Sequence, residues 1–309
     1  MTFVTNCEGW PGLEAARAAL LEGRTALDVV EAGIRPVEAE PRIDSVGRGG
    51  RPNLLGDVVC DAAVMDGDTL MVGAVAGLRG YLHAVSVARK VLERLPHVML
   101  AGDGAARFAA EVGAEQAEML TDEAQQSHEA WLQKHNIDGD HLHRPDVPLA
   151  DYAWRSAHEF GKGGTVVFLV RAKDGGLAAG TSTSGWANGY PGRVGDSPIV
   201  GAGLYADSRY GACACTHTGE MSIRAATARS VVLYLKVGMQ IDEACAEALR
   251  DLDTLKGGHL GALVIHALDR EGRVYVVTNR DMGEKSSYYV WHDAMPVAEH
   301  LQAVVMRHR

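Results

Sequence analysis

The stretch GKGGTVVFLVRAKDGGLAAGTSTSG, Gly161–Gly185, lies just past the middle of a 309-residue chain. TVVFLVR holds a continuous apolar run from Val166 to Val170, and LAAGTSTS follows after AKDGG, a hairpin-type turn. The pattern predicts two adjacent antiparallel strands. TSTS puts Thr181 and Thr183 on one strand face and the serines on the other, because side chains alternate along a strand. Thr165 stands between the pair Gly163-Gly164 and the first strand. One reading is a glycine turn that starts a strand. The other is chemical. A threonine hydroxyl is a poor nucleophile without a base, and one solution is the residue's own α-amine. That amine titrates near ~7.7–8, so it can be neutral at physiological pH. An internal threonine has no free amine, so the chain must first be cut before it. Glycines allow the strained backbone such a cut needs.

Outward from this stretch, helices and strands alternate with many hairpins. Thr25 and Asp28 form a capping-box start to TALDVVEAGIRPVEAEP, and Pro36 is expected to kink or end that helix. SVGRGGRPNLLG, Ser45–Gly56, reads as a glycine-rich loop, and two strands flank Asp66-Gly67. SVARKVLERLP is a helix stopped at Pro96, and HVMLAGDGAARFAAEVG a short strand, a glycine turn and a helix. From about Thr121 to Lys162 the chain is polar, with a helix at its start and no periodicity beyond, which marks function or mobility. YGACACTH reads as a strand, GEMSIRAATARSVVLYLKVG as one long amphipathic helix and IDEACAEALRDL as another. LGALVIHAL and GRVYVVT form a second hairpin around Asp269–Gly272, and YYVWHD is a last strand. This order favours an α+β fold of antiparallel sheets covered by helices over βαβ alternation.

Composition sets limits on function. Hydrophobic residues make up 47% and charged residues 23%, an ordinary globular balance. A net charge of −10 with no basic run argues against nucleic acid or an anionic membrane as partner. No apolar stretch is long enough to span a bilayer, and MTFVTNCEGWPG does not resemble a signal peptide. Five cysteines without a CxxC suggest packing thiols in a reducing, cytoplasmic setting, with Cys213 and Cys215 on one strand face. HExxH is absent, and the His141/His143 pair lies in a polar stretch, so no metal is expected. A GxSxG elbow and a P-loop are also absent. Gly201-Ala-Gly203-Leu-Tyr-Ala206 formally matches GxGxxA, but it follows a Pro-containing loop rather than a strand.

Polar residues cluster downstream of Thr165. YPGRVGDSP places Arg193 and Asp196 three apart. A guanidinium can hold a carboxylate by two parallel hydrogen bonds, and the aspartate can hold an ammonium. Together they would read the two ends of a free α-amino acid; a surface ion pair is the alternative. ACTHTGE ends a strand at Thr216, His217, Thr218 and Gly219. Backbone N–H groups and a threonine hydroxyl there could form an oxyanion hole, or Thr218 could simply cap a helix.

GTVVFLVRAKDGGLAAGTSTSGWANGYPGRVGDSPIVGAGLYAD and GACACTHTGE resemble the N-terminal-nucleophile asparaginase family, which includes glycosylasparaginases and plant-type isoaspartyl peptidases/L-asparaginases. The likeness spans nearly the whole chain, and GRVGDSPIVGAG is its most specific part. The resemblance implies a single domain, 1–309, folded as a four-layer αββα sandwich. It implies self-cleavage at Gly164–Thr165 into 1–164, with the connector 121–164, and 165–309. Thr165 would be the nucleophile, supported by Thr183. Arg193 would bind the substrate α-carboxylate and Asp196 its α-amine. Thr216 and the backbone of His217 would stabilise the oxyanion, Gly219 would anchor the aspartyl group, and Ser45 would line the pocket. No cofactor or metal is implied; the partners are a small β-aspartyl substrate and a second αβ unit in a homodimer.

Three departures bear on substrate and activity. Glycosylasparaginases commonly carry His-Asp before the threonine, where this chain has Gly163-Gly164. The family often has glycine where His217 stands, and an imidazole there would narrow the leaving-group side and strain a turn that needs φ > 0. Trp10 lies near the tryptophan of the glycosylasparaginase pocket, about one residue out of register. Three readings follow: an amidohydrolase acting on N4-(β-N-acetylglucosaminyl)-L-asparagine, an isoaspartyl peptidase or L-asparaginase with the same acyl chemistry, and an uncleaved binding or interface protein.

Overall fold

A computed structural model describes residues 1–159 and 164–306. Gly163, half of the glycine pair, lies outside the described residues. The chain begins with β1 (Thr2–Asn6), a 3-10 turn (Cys7–Gly12), α1 (Leu13–Leu21) and α2 (Ala26–Ala39). Next come β2 (Cys60–Asp66), β3 (Val72–Leu78), α3 (Ala84–Arg94), β4 (Met99–Ala101) and α4 (Gly102–Glu111). The connector holds α5 (Asp122–Lys134), α6 (Gly139–Leu142) and α7 (Ala150–His158). β5 (Val166–Arg171), β6 (Leu177–Thr183), β7 (Leu204–Asp207) and β8 (Gly211–His217) follow. The chain closes with α8 (Gly219–Ala225), α9 (Thr227–Lys236), α10 (Ile241–Asp253), β9 (Leu263–Asp269), β10 (Val274–Thr278), β11 (Ser287–His292), β12 (Glu299–Gln302) and β13 (Val304–Val305).

Alternation along the strands builds four layers. The larger sheet runs β12-β11-β1-β5-β6-β2-β3-β4 and the smaller β13-β10-β9-β8-β7. In β5, Val166, Phe168 and Val170 face a core shared with α1 to α4, while Val167 and Leu169 face the second sheet. On β8, Ala212 and Ala214 point inward, whereas Cys213 and Cys215 pack outward against α9 and α10 as the expected buried thiols. The result is the α+β, four-layer αββα sandwich that the sequence suggests. Its sheets are mostly antiparallel, but β3–β4 and β10–β13 pair in parallel.

Pro36 lies in the last turn of α2, which ends at Ala39, and burial of Val29, Val30, Gly33, Ile34 and Val37 along one face holds the helix despite the missing N–H. Three local expectations need correction. The expected single helix after Gly219 breaks at Ala226, which is left-handed with φ 50°. The break lets the first turn of α9 donate from Ala228 N to Ala202 O (3.2 Å) and from Arg229 N to Gly201 O (2.9 Å). Two short strands, β12 and β13, follow the expected last one. Beyond the expected helix at its start, the described part of the connector also holds α6 and α7. Trp131 and Lys134 of α5 and His135 just after it bond the Glu159 carboxylate, at 3.0, 2.8 and 3.2 Å, tying α5 to the residue that follows α7.

The site depends on β6 lying flat beneath α2. A Cβ at Gly180 would overlap Val30 Cγ1 and come within 3.0 Å of Ile34 Cδ1. Gly180→Ala should therefore cost ~1–3 kcal/mol, read as a lower urea midpoint at unchanged m-value.

Candidate active site

At one end of the sandwich the inward-facing positions change from apolar to hydroxyl. Thr165 continues the parity of Val167 and Leu169, Thr181 and Thr183 that of Leu177 and Ala179, and Thr216 that of Ala212 and Ala214. All four threonines are buried. A cavity of about 10 Å³ lies among Thr165, Thr183, Arg193, Asp196, Ser197 and His217, with Gly164 in its wall. That is room for about one water and no amino acid.

The backbone on both sides of Thr165 is clamped. Asn6 Nδ2 donates to Thr165 O at 2.8 Å, and Asn6 Oδ1 accepts from Val167 N at 3.1 Å. The Thr183 hydroxyl donates to Gly164 O at 2.9 Å and also approaches Ser45 O at 3.3 Å. Gly185 N donates back to Thr183 Oγ1 at 2.9 Å. Ser45 thus acts on the site through its carbonyl, which also accepts from Ser184 N at 2.8 Å. The Thr165 hydroxyl makes a loose contact with Ser197 Oγ, at 3.5 Å.

Arg193 and Asp196 do not pair with each other. Arg193 Nε and Nη2 bond Glu220 Oε1 at 3.0 and 2.9 Å, and its guanidinium stacks 4.8 Å from the Trp186 ring. Nη1 lies on the side of Gly185 and Gly195, where a Cβ at 195 would come within 3.1 Å of it. Asp196 accepts from Ser222 Oγ at 2.5 Å. Burial pushes its carboxyl up to about 6, while Ser222 and then the Arg193 charge act the other way. Gly219 sits against this carboxylate: a Cβ there would lie 2.6 Å from Asp196 Oδ1.

His217 takes a positive φ of 86°. Its Nδ1 pairs with Thr216 Oγ1 at 3.0 Å, and its buried Nε2 has no partner among the described residues. Burial first, then Lys285, lowers its pKa to about 4, so the ring is neutral at pH 7. The Thr218 side chain makes no capping bond to α8, so that alternative falls away. Trp10 is partly exposed beneath the Arg42 guanidinium, 4.6 Å from its ring, and does not line the cavity. Among the described residues no cluster of His, Cys, Asp or Glu could hold a metal, and no helix is long and apolar enough to cross a membrane.

Sequence reasoning does not single out Asn6, Ser197, Glu220 or Ser222. Ser197 adjoins Asp196 within GDSP, and Glu220 follows Gly219, so both lie within the recognised stretches. Nothing local marks Asn6 or Ser222. The connector is also part of the site's surroundings. His128 of α5 meets Asn188 Oδ1 at 2.7 Å, and α7 lays Ala153, Trp154 and Ala157 over Trp186, Tyr190 and Glu220 around an apolar cavity of about 370 Å³.

The asparaginase family model matches residues 12–289, and the chain belongs to that family. It is 35% identical over 271 residues to the N(4)-(β-N-acetylglucosaminyl)-L-asparaginase of Rattus norvegicus, covering 82% of this chain and 79% of that protein. Against the enzyme of the same name from Elizabethkingia miricola, identity is 37% over 244 residues, 79% of this chain and 64% of that one. The isoaspartyl peptidase of Salmonella typhimurium is 37% identical over 270 residues, covering 87% and 82%.

Two substitutions check this geometry. His217→Gly should remove left-handed strain and raise stability by ~1 kcal/mol in a urea melt. Gly219→Ala should displace the Asp196 carboxylate and raise KM at least tenfold, with little change in circular dichroism.

Proposed function

We propose that the protein is a threonine-nucleophile amidohydrolase. It cleaves its own Gly164–Thr165 bond into 1–164 and 165–309. It then hydrolyses the side-chain amide of N4-(β-N-acetylglucosaminyl)-L-asparagine or a related β-aspartyl compound. The observation that carries this reading is the buried cavity joining Thr165, Thr183, Arg193, Asp196 and His217 beside the Gly164 carbonyl.

Cleavage before Thr165 uses what is already in place. The Thr183 hydroxyl polarises Gly164 O, the atom that gains charge when Thr165 Oγ attacks. The cut frees the Thr165 α-amine to serve as base. It also lets Gly164 leave the wall of a cavity otherwise too small for a substrate. Arg193 Nη1 then takes the substrate α-carboxylate and Asp196 the α-ammonium. Thr165 attacks the β-carbonyl, Thr216 and the residue-217 N–H hold the oxyanion, and water resolves the β-aspartyl ester to release aspartate. Two such αβ units would form the working dimer. The same half-site serves an isoaspartyl peptidase or L-asparaginase, and the Salmonella likeness supports that second reading of the leaving group.

Thr165→Ala should abolish turnover of GlcNAc-Asn and β-aspartyl dipeptides alike; unchanged turnover would remove the nucleophile. Arg193→Ala should raise KM more than tenfold, since losing a charged clamp costs ~2–5 kcal/mol. Asp196 must be ionised to hold an ammonium, and its pKa lies at about 6, above the ordinary value. Its clamp is therefore present above that pH and lost below it. His217, neutral over the same range, adds nothing. From Asp196 alone kcat/KM should fall roughly tenfold from pH 7 to pH 5, and protonation of the Thr165 amine steepens the fall. A flat profile would contradict the assignment.

A further inference from the structure

Glu8 is a half-buried residue, its carboxylate Oε2 shut off from solvent, that the reaction above does not use. It stands in the 3-10 turn directly after β1, two residues beyond Asn6. Asn6 is bonded to the backbone of Thr165 and Val167, so it fixes the register between this turn and the chain entering β5. The consequence is a close contact at residue 164. A Cβ on Gly164 would overlap Glu8 Oε1 and Cδ and lie 2.5 Å from Oε2. The Glu8 carboxylate thus fills the volume where a side chain of residue 164 would begin. An aspartate at 164 would need that same volume for its own carboxylate. Glu8 Oε2 is buried and has no hydrogen-bond partner among the described residues.

We infer that Glu8 is the proton carrier of the cleavage before Thr165, a carboxylate delivered to the junction from the 3-10 turn rather than from residue 164. The inference rests on the processing reading given above. Its chemistry balances. The Thr165 hydroxyl gives its proton to Glu8 as Oγ bonds to the Gly164 carbonyl carbon. The C–N bond then breaks, and Glu8 returns the proton to the leaving nitrogen, which becomes the α-amine. Water adds to the resulting ester, leaving a carboxylate on Gly164, a free hydroxyl on Thr165 and Glu8 unchanged. The surroundings suit this role. Burial raises the Glu8 pKa, and so its basicity; the Ser45 hydroxyl acts against that, Asp44 adds to it, and Lys285 and Arg51 oppose it. The neighbouring Cys7 thiol is itself pushed up by burial, to about 12, and stays uncharged. Gly164 has no side chain because Glu8 already occupies its place.

The test follows cleavage of freshly translated chains by denaturing mass spectrometry, with circular dichroism as the folding control. Glu8→Gln and Glu8→Ala should each slow cleavage by ~10²-fold. The wild-type rate should rise with pH through the Glu8 titration, and Glu8→Gln should lose that rise. Formate should restore part of the rate to Glu8→Ala. So should Gly164→Asp in the Glu8→Ala background, although Gly164→Asp alone is slow because two carboxylates compete for one volume. Unchanged cleavage in both Glu8 variants would overturn the inference while leaving the processing reading intact. Slow cleavage that neither formate nor Gly164→Asp restores would also overturn it, since packing alone would then explain the loss. A wild-type chain that never cleaves would instead sink the processing reading, and Glu8's role with it.

Discussion

Everything at the site depends on how the chain is held as it enters β5. Asn6 ties the carbonyl of Thr165 and the N–H of Val167 to β1, and Thr183 ties the carbonyl of Gly164 to β6. These bonds are buried and short, and leaving such groups unpaired would cost ~1–3 kcal/mol each. They hold one peptide bond between two strands of a rigid sheet, so the threonine hydroxyl and the carbonyl before it keep a fixed relation. Preorganisation of this kind lets a weak nucleophile react. It also accounts for the place of the proposed nucleophile, at the mouth of a central strand rather than on a loop.

The remaining site residues are positioned by what their neighbours lack. Asp196 can lie where it does because Gly219 has no Cβ to displace it, and a Cβ on Gly203 would meet the Asp196 carbonyl. Gly195 N reaches Asp61, whose other oxygen accepts from Gly77 N at 2.7 Å, so the RVGDS loop is anchored to β2 and β3. His217 is the exception, a bulky residue at φ 86° where glycine would rest without strain. Backbone strain of this kind persists only where the surrounding structure over-determines it. Glu220 holds Arg193 by Nε and Nη2 and so leaves Nη1 turned toward Gly185 and Gly195.

Much of this was legible in the sequence because period-two alternation is a local signal. The strands on either side of Asp66-Gly67, the β5–β6 hairpin, the β9–β10 hairpin and the sharing of one face by Thr181 and Thr183 need only neighbouring residues to be read. Antiparallel sheets covered by helices followed from the dominance of hairpins, and the four-layer stacking from the family resemblance. The misreadings have long-range causes. The Ala226 break serves carbonyls at Gly201 and Ala202. The connector reads as aperiodic because its apolar contacts are few and small: α5 is tied by polar bonds to Asn188 and Glu159, and α7 docks through alanines and Trp154 near Trp186 and Tyr190. Asn6 and Glu8 were invisible for the same reason: the significance of each lies in the residue it touches across the sheet.

The central claim is that Thr165 becomes an N-terminus. Intact-mass spectrometry of the freshly purified protein under denaturing conditions tests it most directly. The account predicts two chains, residues 1–164 and 165–309, with the second beginning at threonine. A single chain of 309 residues that stays whole on incubation would contradict it.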